Sequence, residues 1–252
     1  LVLFLIQTGM HVAVALFLLS FVGVWLMKDN MHIAGRLVAI SAQHSMQRYE
    51  FGVLPLFVVM GLIVSATGMG RDTFDVAGQI FRRMRGGLGM ATVSANAIFA
   101  AINGTTIASA SVFTKVAVPE LIRHGYTKRF AVGVVAGSSV LGMLIPPSLL
   151  LIIYGVVAET SIGALFTAGI LPGILLSGAF ILIIMLMSRF FPQAVTSVES
   201  EQNSQEYNDS LRVMSAKISP IIILIVIVLG GIYGGVITPV EAGGVGALSA
   251  LI

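Results

Sequence analysis

Two long uncharged stretches, 86–114 and 130–158, each carry a helix-breaking, hydroxyl-rich patch in the middle. The first patch is Asn103-Gly104-Thr105-Thr106, followed by Ser109 and Ser111. The second is Gly137-Ser138-Ser139, then Gly142 and Pro146-Pro147. Both stretches are apolar enough for lipid, yet neither patch suits a plain spanning helix. Irregular backbone at membrane depth persists only where protein buries it or where it lines a polar cavity. Helices broken at the bilayer midplane are where secondary transporters hold solute and coupling ion. The two patches therefore read as one half of a transport site.

The surrounding composition agrees with a bilayer. Charged residues are 10% of the 252 and hydrophobic residues 57%, against roughly 25% charged in soluble domains. This predicts an all-α integral membrane protein. The net charge of +3 does not point to nucleic acid, because the basic residues sit in short clusters between apolar runs, as topology signals do. There is no cysteine, which excludes disulfides and thiolate metal sites. His11, His32, His44 and His124 are scattered with no metal-ligand spacing, so neither a metal nor a catalytic cluster is expected.

Taken in order, residues 1–70 read as N-terminal scaffold spans, with Gly9 breaking the first run and a mixed surface segment from Lys28 to Glu50. Residues 71–85 read as an interfacial amphipathic helix, with Asp72 as N-cap, Phe74, Ala77, Phe81 and Met84 on one face, and Asp75, Gln79, Arg82 and Arg83 on the other. Residues 86–158 form the transport region: a re-entrant hairpin over 86–120 and a broken helix over 130–158. A span at 164–188 follows, with Ser161 as its N-cap. A hydrophilic linker at 189–217 carries no assigned chemistry, and 218–252 reads as the start of a second scaffold half. There Thr238-Pro239-Val240-Glu241 spells a capping box. The chain opens on Leu1 and stops at Ile252, each inside an apolar run, which predicts a longer protein.

The hairpin follows from charge and length. Arg82, Arg83 and Arg85 precede the first stretch, and Lys115, Arg123, Lys128 and Arg129 follow it. The positive-inside rule places both flanks in the cytoplasm, so the stretch must turn round within the membrane. Two legs of about 14 residues would each be roughly 21 Å long, short of a ~30 Å hydrocarbon core. Asn103-Gly104 suits the reversal. Parity from this hairpin then puts Lys28, Arg36 and Arg48 outside, against the same charge rule.

Na⁺ is a hard cation that takes oxygen ligands. Asn103, Thr105, Thr106 and Ser109 offer them in the first patch, and Ser138 and Ser139 in the second, where Pro146 and Pro147 also free carbonyls. Gly104, Gly137 and Gly142 let the backbone bend and approach. Asn103, Thr105, Thr106 and Ser138 are the candidate Na⁺ ligands. The competing use of these hydroxyls is helix–helix hydrogen bonding. Neither patch holds a carboxylate, so a proton relay has no evident carrier. The alternatives are a proton-coupled carrier of the same fold and an ion channel with a re-entrant hairpin. No cofactor is expected beyond Na⁺ as the coupling ion, and no enzymatic activity.

The ordered motifs carry a resemblance. Phe99-Ala-Ala-Ile-Asn-Gly-Thr-Thr-Ile-Ala-Ser-Ala110, Pro119, His124-Gly125-Tyr126, Leu141-Gly-Met-Leu-Ile-Pro-Pro-Ser148 and Ser161-Ile-Gly-Ala-Leu-Phe-Thr-Ala-Gly169 resemble the large, DctM-like membrane permease of tripartite ATP-independent periplasmic (TRAP) transporters. So does Gly231-Ile-Tyr-Gly-Gly-Val-Ile-Thr-Pro-Val-Glu-Ala242. The resemblance implies an elevator-type fold with two inverted repeats, of which this chain holds the first. It implies Na⁺-coupled symport of an organic acid, a C4-dicarboxylate, sialic acid or sugar acid, across the bacterial inner membrane. It implies a periplasmic substrate-binding protein and a small four-helix membrane subunit as partners. The family tip usually reads Ser-Gly-Ser-Ser. Asn103-Gly104-Thr105-Thr106 keeps an oxygen at each changed position.

Overall fold

The computed structural model describes residues 2–46, 52–196 and 210–251. Among them every regular element is helical, apart from one isolated antiparallel bridge between Tyr126 and Thr196. The chain divides into two compact units, Leu1–Phe51 and Gly52–Ile252. Much of the 189–217 linker lies outside the described residues.

The first unit holds α1 (Val2–Gln7), α2 (Val12–Lys28) and α3 (Met31–Met46). Gly9 is left-handed, with φ of 86°, and separates α1 from α2 as its sequence position predicts. Asn30 turns the chain into α3, where its Oδ1 accepts from the N–H groups of His32 and Ile33 at 3.0 and 3.2 Å. The mixed segment after Lys28 is thus a 16-residue helix for much of its length. Ala15 and Ala34 are fully buried where α2 and α3 pack.

The second unit starts with α4 (Val53–Ala66), which ends at left-handed Gly68 and bends by 62° into α5 (Met69–Phe81). The last of the expected scaffold spans is therefore bent at its end rather than straight. Gly68 is the N-cap of α5, and Asp72 lies inside its first turn rather than capping it. The expected two-faced pattern also needs correction at Gln79, which is buried with Thr73, Val76 and Gly78. The reason is packing on more than one side: α5 lies against α6 (Gly87–Asn103) and also meets α13 (Leu211–Ile225), where Lys217 Nζ reaches Asp75 Oδ2 at 3.3 Å.

Next come α6 (Gly87–Asn103) and α7 (Thr106–Arg123), joined by a two-residue turn. They pack on each other, with Phe99 and Phe113 edge to face at 5.6 Å between centroids. The legs have 17 and 18 residues, longer than expected because the second runs on through Lys115. Helix α6 is the centre of the unit. Its Met90, Val93 and Ala100 form a core with Phe130, Leu141 and Ile184.

The broken helix is α8 (Lys128–Ser139), α9 (Leu141–Leu144) and α10 (Leu149–Val157). Thr127 Oγ1 caps α8 by accepting from Phe130 N–H. Its N–H also donates to Val195 O at 2.9 Å, and its hydroxyl to Ala194 O at 2.8 Å. These bonds tie the turn between hairpin and broken helix to α12 (Pro192–Val195), which follows α11 (Ile162–Phe190). Ser161 caps α11 through Ala164 N–H, as predicted. The last stretch is α13 (Leu211–Ile225), a π-helical turn at Val226–Gly230, and α14 (Gly231–Tyr233). Finally α15 (Pro239–Ser249) begins with the predicted capping box and packs on α4. By length and composition, Lys128–Val157, Ile162–Phe190 and Arg212–Tyr233 can cross a membrane, and the bent α4–α5 pair makes a fourth if it counts as one span.

Candidate functional site

The hairpin tip is built by local chemistry. Helix α6 ends at Asn103 because Gly104 turns left-handed at φ of 65° and sends its N–H back to Ala100 O. Thr105 is extended and caps α7, its Oγ1 accepting from Ala108 N–H at 3.3 Å. Asn103 Nδ2 donates across the turn to Thr105 Oγ1 at 3.2 Å, which fixes the tip.

The break is also local. Pro146 and Pro147 have no N–H to give the carbonyls one helical turn earlier, on Gly142 and Met143. Ser148 answers for one of them, its Oγ donating to Met143 O at 2.6 Å while accepting from Leu151 N–H to cap α10.

Tip and break meet backbone to backbone. Leu149 N–H donates to Gly104 O at 3.1 Å. A Cβ on Gly142 would fall 2.7 Å from Thr105 O and 3.1 Å from Thr106 N. One on Gly104 would collide with the Pro147 carbonyl. Two glycines thus let two irregular backbones touch, and Gly104, Thr105, Thr106, Gly142, Pro146 and Pro147 gather in one place. On its other side the tip meets α4, where a Cβ on Gly61 would overlap Asn103 Oδ1.

Not every expected residue arrives there. Ser138 and Ser139 are buried at the end of α8 and both donate to Val135 O. Ser138 Oγ accepts from Asn96 Nδ2 at 2.6 Å, seven residues before the tip and so roughly 10 Å down the hairpin leg. Gly137 faces the Phe180 ring of α11. Ser109 is fully buried one turn into α7. Sequence reasoning passed over Asn96, although a lone amide inside an apolar leg is itself a signal. It also passed over the seat that Gly61 gives Asn103.

Three buried oxygens near these contacts have no hydrogen-bond partner: Thr106 Oγ1, Ser109 Oγ and Asn96 Oδ1. A buried oxygen without a donor is costly unless something else fills its lone pairs. Among the described residues no group of His, Asp or Glu could hold a metal ion. The chemistry on offer is neutral oxygen alone, suited to a hard monovalent cation more than to a transition metal.

Helices long and apolar enough to cross a membrane, with a hairpin and a broken helix between them, define a multi-pass membrane protein. The model of the family described as "Tripartite ATP-independent periplasmic transporter, DctM component" matches residues 1–252, and the chain belongs to that family. It is 33% identical over 213 residues to the C4-dicarboxylate TRAP transporter large permease protein DctM of Pseudomonas aeruginosa, covering 84% of this chain and 48% of that protein. It is 34% identical over 216 residues to the isethionate TRAP transporter permease protein DctMQ of Oleidesulfovibrio alaskensis, covering 85% and 33%. It is 32% identical over 200 residues to the sialic acid TRAP transporter large permease protein SiaM of Vibrio cholerae, covering 79% and 45%. The chain thus spans about half, or less, of the length of these relatives.

Proposed function

We propose that this protein is the permease subunit of a TRAP transporter, importing an organic acid across the bacterial inner membrane by secondary, Na⁺-coupled symport. The observation that carries the reading is the meeting of the Asn103–Thr106 tip with the α9–α10 break, joined by the Leu149 N–H to Gly104 O bond. That contact concentrates neutral oxygens and freed carbonyls in a region without a carboxylate. Na⁺ would take ligands from Thr105 and Thr106 and from the carbonyl of Gly142, with Asn103 shaping the tip, because its Nδ2 holds Thr105 Oγ1 and its Oδ1 faces Gly61 of α4. The partnerless Thr106 hydroxyl supports this set. Ser138 contributes by holding Asn96 and hence the angle of the hairpin. The hairpin and broken helix would move as the elevator against a scaffold that includes α4 and α15. A periplasmic binding protein would deliver the solute, and a small four-helix subunit would complete the membrane part. The solutes for which these relatives are named, C4-dicarboxylate, isethionate and sialic acid, all carry an acidic group, which supports an anionic cargo.

The test is uptake into proteoliposomes that hold the complete transporter and its binding protein. Uptake of the acid should follow an inward Na⁺ gradient and stay flat when K⁺ replaces Na⁺. Uptake driven by a proton gradient without Na⁺ would overturn the coupling, and passive ion conductance would overturn the carrier reading.

A further inference from the structure

The hairpin tip has a second face, and the proposed Na⁺ site accounts for only Asn103 and Thr105 of what lines it. Between α4, the α4–α5 corner and α7 lies a cavity of ≈ 470 Å³, within the size range of small-molecule sites. No residue of α8, α9 or α10 borders it. Asn103 and Thr105 close it at the tip, Ser65 and Ser111 stand along its walls, and Arg71 and Lys115 bring two positive charges to it. The remaining lining is glycine and apolar side chains of α4 and α7, and no carboxylate is among it.

The two cations come from separate elements, Arg71 from the first turn of α5 and Lys115 from the middle of α7. Among the described residues neither forms an ion pair. The acid one helical turn from Arg71, Asp75, is engaged by Lys217 at 3.3 Å. Both side chains are exposed at the rim of the cavity, where an anion that enters meets two positive charges at once. Two cations on low-dielectric walls also focus their field into the space between them. The Ser111 hydroxyl beside them can donate and fix orientation, whereas Ser65 Oγ gives its hydrogen to Gly61 O at 2.7 Å and Asn103 Nδ2 is turned to Thr105.

We propose that this cavity is an anion-binding site for the transported solute, taking a carboxylate or sulfonate between Arg71 and Lys115. The inference rests on the reading of the protein as an organic-acid carrier. It adds a place where the solute sits on the scaffold side of the hairpin. Asn103 and Thr105 then border both the Na⁺ site and the anion, which gives the ion and the solute a shared wall. An anionic lipid headgroup presents the same chemistry, and the experiment separates the two sources.

This chain has no cysteine, so Ser111→Cys, with any cysteine elsewhere in the protein replaced by serine, places a single thiol in the exposed part of the lining. The variant is purified and held in nanodiscs of zwitterionic lipid without Na⁺. Its modification rates by sulfonatoethyl and by trimethylammonioethyl methanethiosulfonate are each divided by the rate with a free small thiol. The anionic reagent should be favoured about tenfold, and less so in high salt. Succinate or isethionate should slow the reaction, and Arg71→Gln with Lys115→Gln should abolish both preference and protection. Ser65→Cys gives the same readout from the α4 wall if Ser111→Cys does not fold.

No charge preference, or protection that survives the double substitution, would overturn the site. Protection by phosphatidylglycerol in the nanodisc and none by succinate or isethionate would assign the cavity to lipid and overturn it too. Proteoliposome uptake separates this from the transport reading. Na⁺-driven uptake with no protection sinks the cavity alone. Protection with no Na⁺-driven uptake leaves the cavity and sinks the coupling.

Discussion

At the scale of single residues, the site depends on oxygens that bury little apolar surface and on glycines that admit backbone contact. Asn103→Ala and Thr105→Val each remove an oxygen at the tip, and each should raise the Na⁺ concentration for half-maximal uptake roughly tenfold, the effect of about 1.4 kcal/mol. Membrane expression should stay near normal. Thr167→Val, whose hydroxyl only back-bonds to Gly163 O on α11, should leave that concentration unchanged. A Na⁺ titration that ranks Thr167→Val with the tip variants would move the ion elsewhere. Gly142→Ala acts differently, because its methyl must displace the Thr105 carbonyl. Overpacking of this kind costs about 1–3 kcal/mol, so Gly142→Ala should lower the melting temperature in detergent as well as uptake. A melting curve like that of the unsubstituted protein would mean that tip and break do not touch. Most of the tip and break was legible in the sequence, since Gly104, Thr105, Pro146 and Pro147 act on their own backbone. The Asn96–Ser138 bond was not, because 42 residues separate its partners and only packing brings them together.

At the scale of elements, most caps and breakers were legible, Asp72 excepted, and the faces of α5 were legible only in part. The Thr238–Glu241 box, the Ser161 cap and the Gly9 break appear where the local pattern puts them. The buried side of α5 was misassigned at Gln79, because periodicity assumes one partner and α5 packs against α4, α6, α7 and α13. The π-helical turn at Val226–Gly230 leaves no compositional mark in an apolar run. The box at α15 carries a pH signature. Hydrogen bonds from the Thr238 N–H and hydroxyl hold the Glu241 carboxyl below its usual range. A depressed carboxylate stabilises the fold above its unfolded pKa, and that contribution fades as pH falls through the folded one. The melting temperature of Glu241→Gln should therefore lie below that of the parent at pH 7, with the gap closing toward pH 3. A gap that widens on acidification would contradict the cap. Between α6 and α8, Asn96→Ala leaves the Ser138 hydroxyl without its buried donor and should cost about 1–2 kcal/mol. Thermal unfolding in detergent reads this, and no change would mean that the pair does not hold the hairpin.

At the scale of the whole molecule, the direction of the hairpin decides whether tip and break can serve one site. Helices of 17 and 18 residues are roughly 26 and 27 Å long at 1.5 Å per residue, short of a ~30 Å core. They fold back on each other through Phe99 and Phe113, so both bases lie on one side. Those bases carry Arg82, Arg83 and Arg85 before the hairpin and Arg123, Lys128 and Arg129 after it, a density that marks the cytoplasmic face. These 252 residues hold no cysteine that competes for the label, and any elsewhere in the protein is replaced by serine first. Gly86 is unsuitable as a label position, because it is left-handed at φ of 75° and a Cβ there would meet the Ser188 hydroxyl. Arg85 and Arg123 are exposed and close to the two bases. Arg85→Cys and Arg123→Cys should both react with a membrane-impermeant maleimide in inverted vesicles and neither in intact spheroplasts. Each substitution removes one charge from a cluster of three or more, which leaves the topology signal in place. Labelling of one position from each side would make 86–123 a through-span, separate the tip from the break, and remove the structural ground for the Na⁺ site.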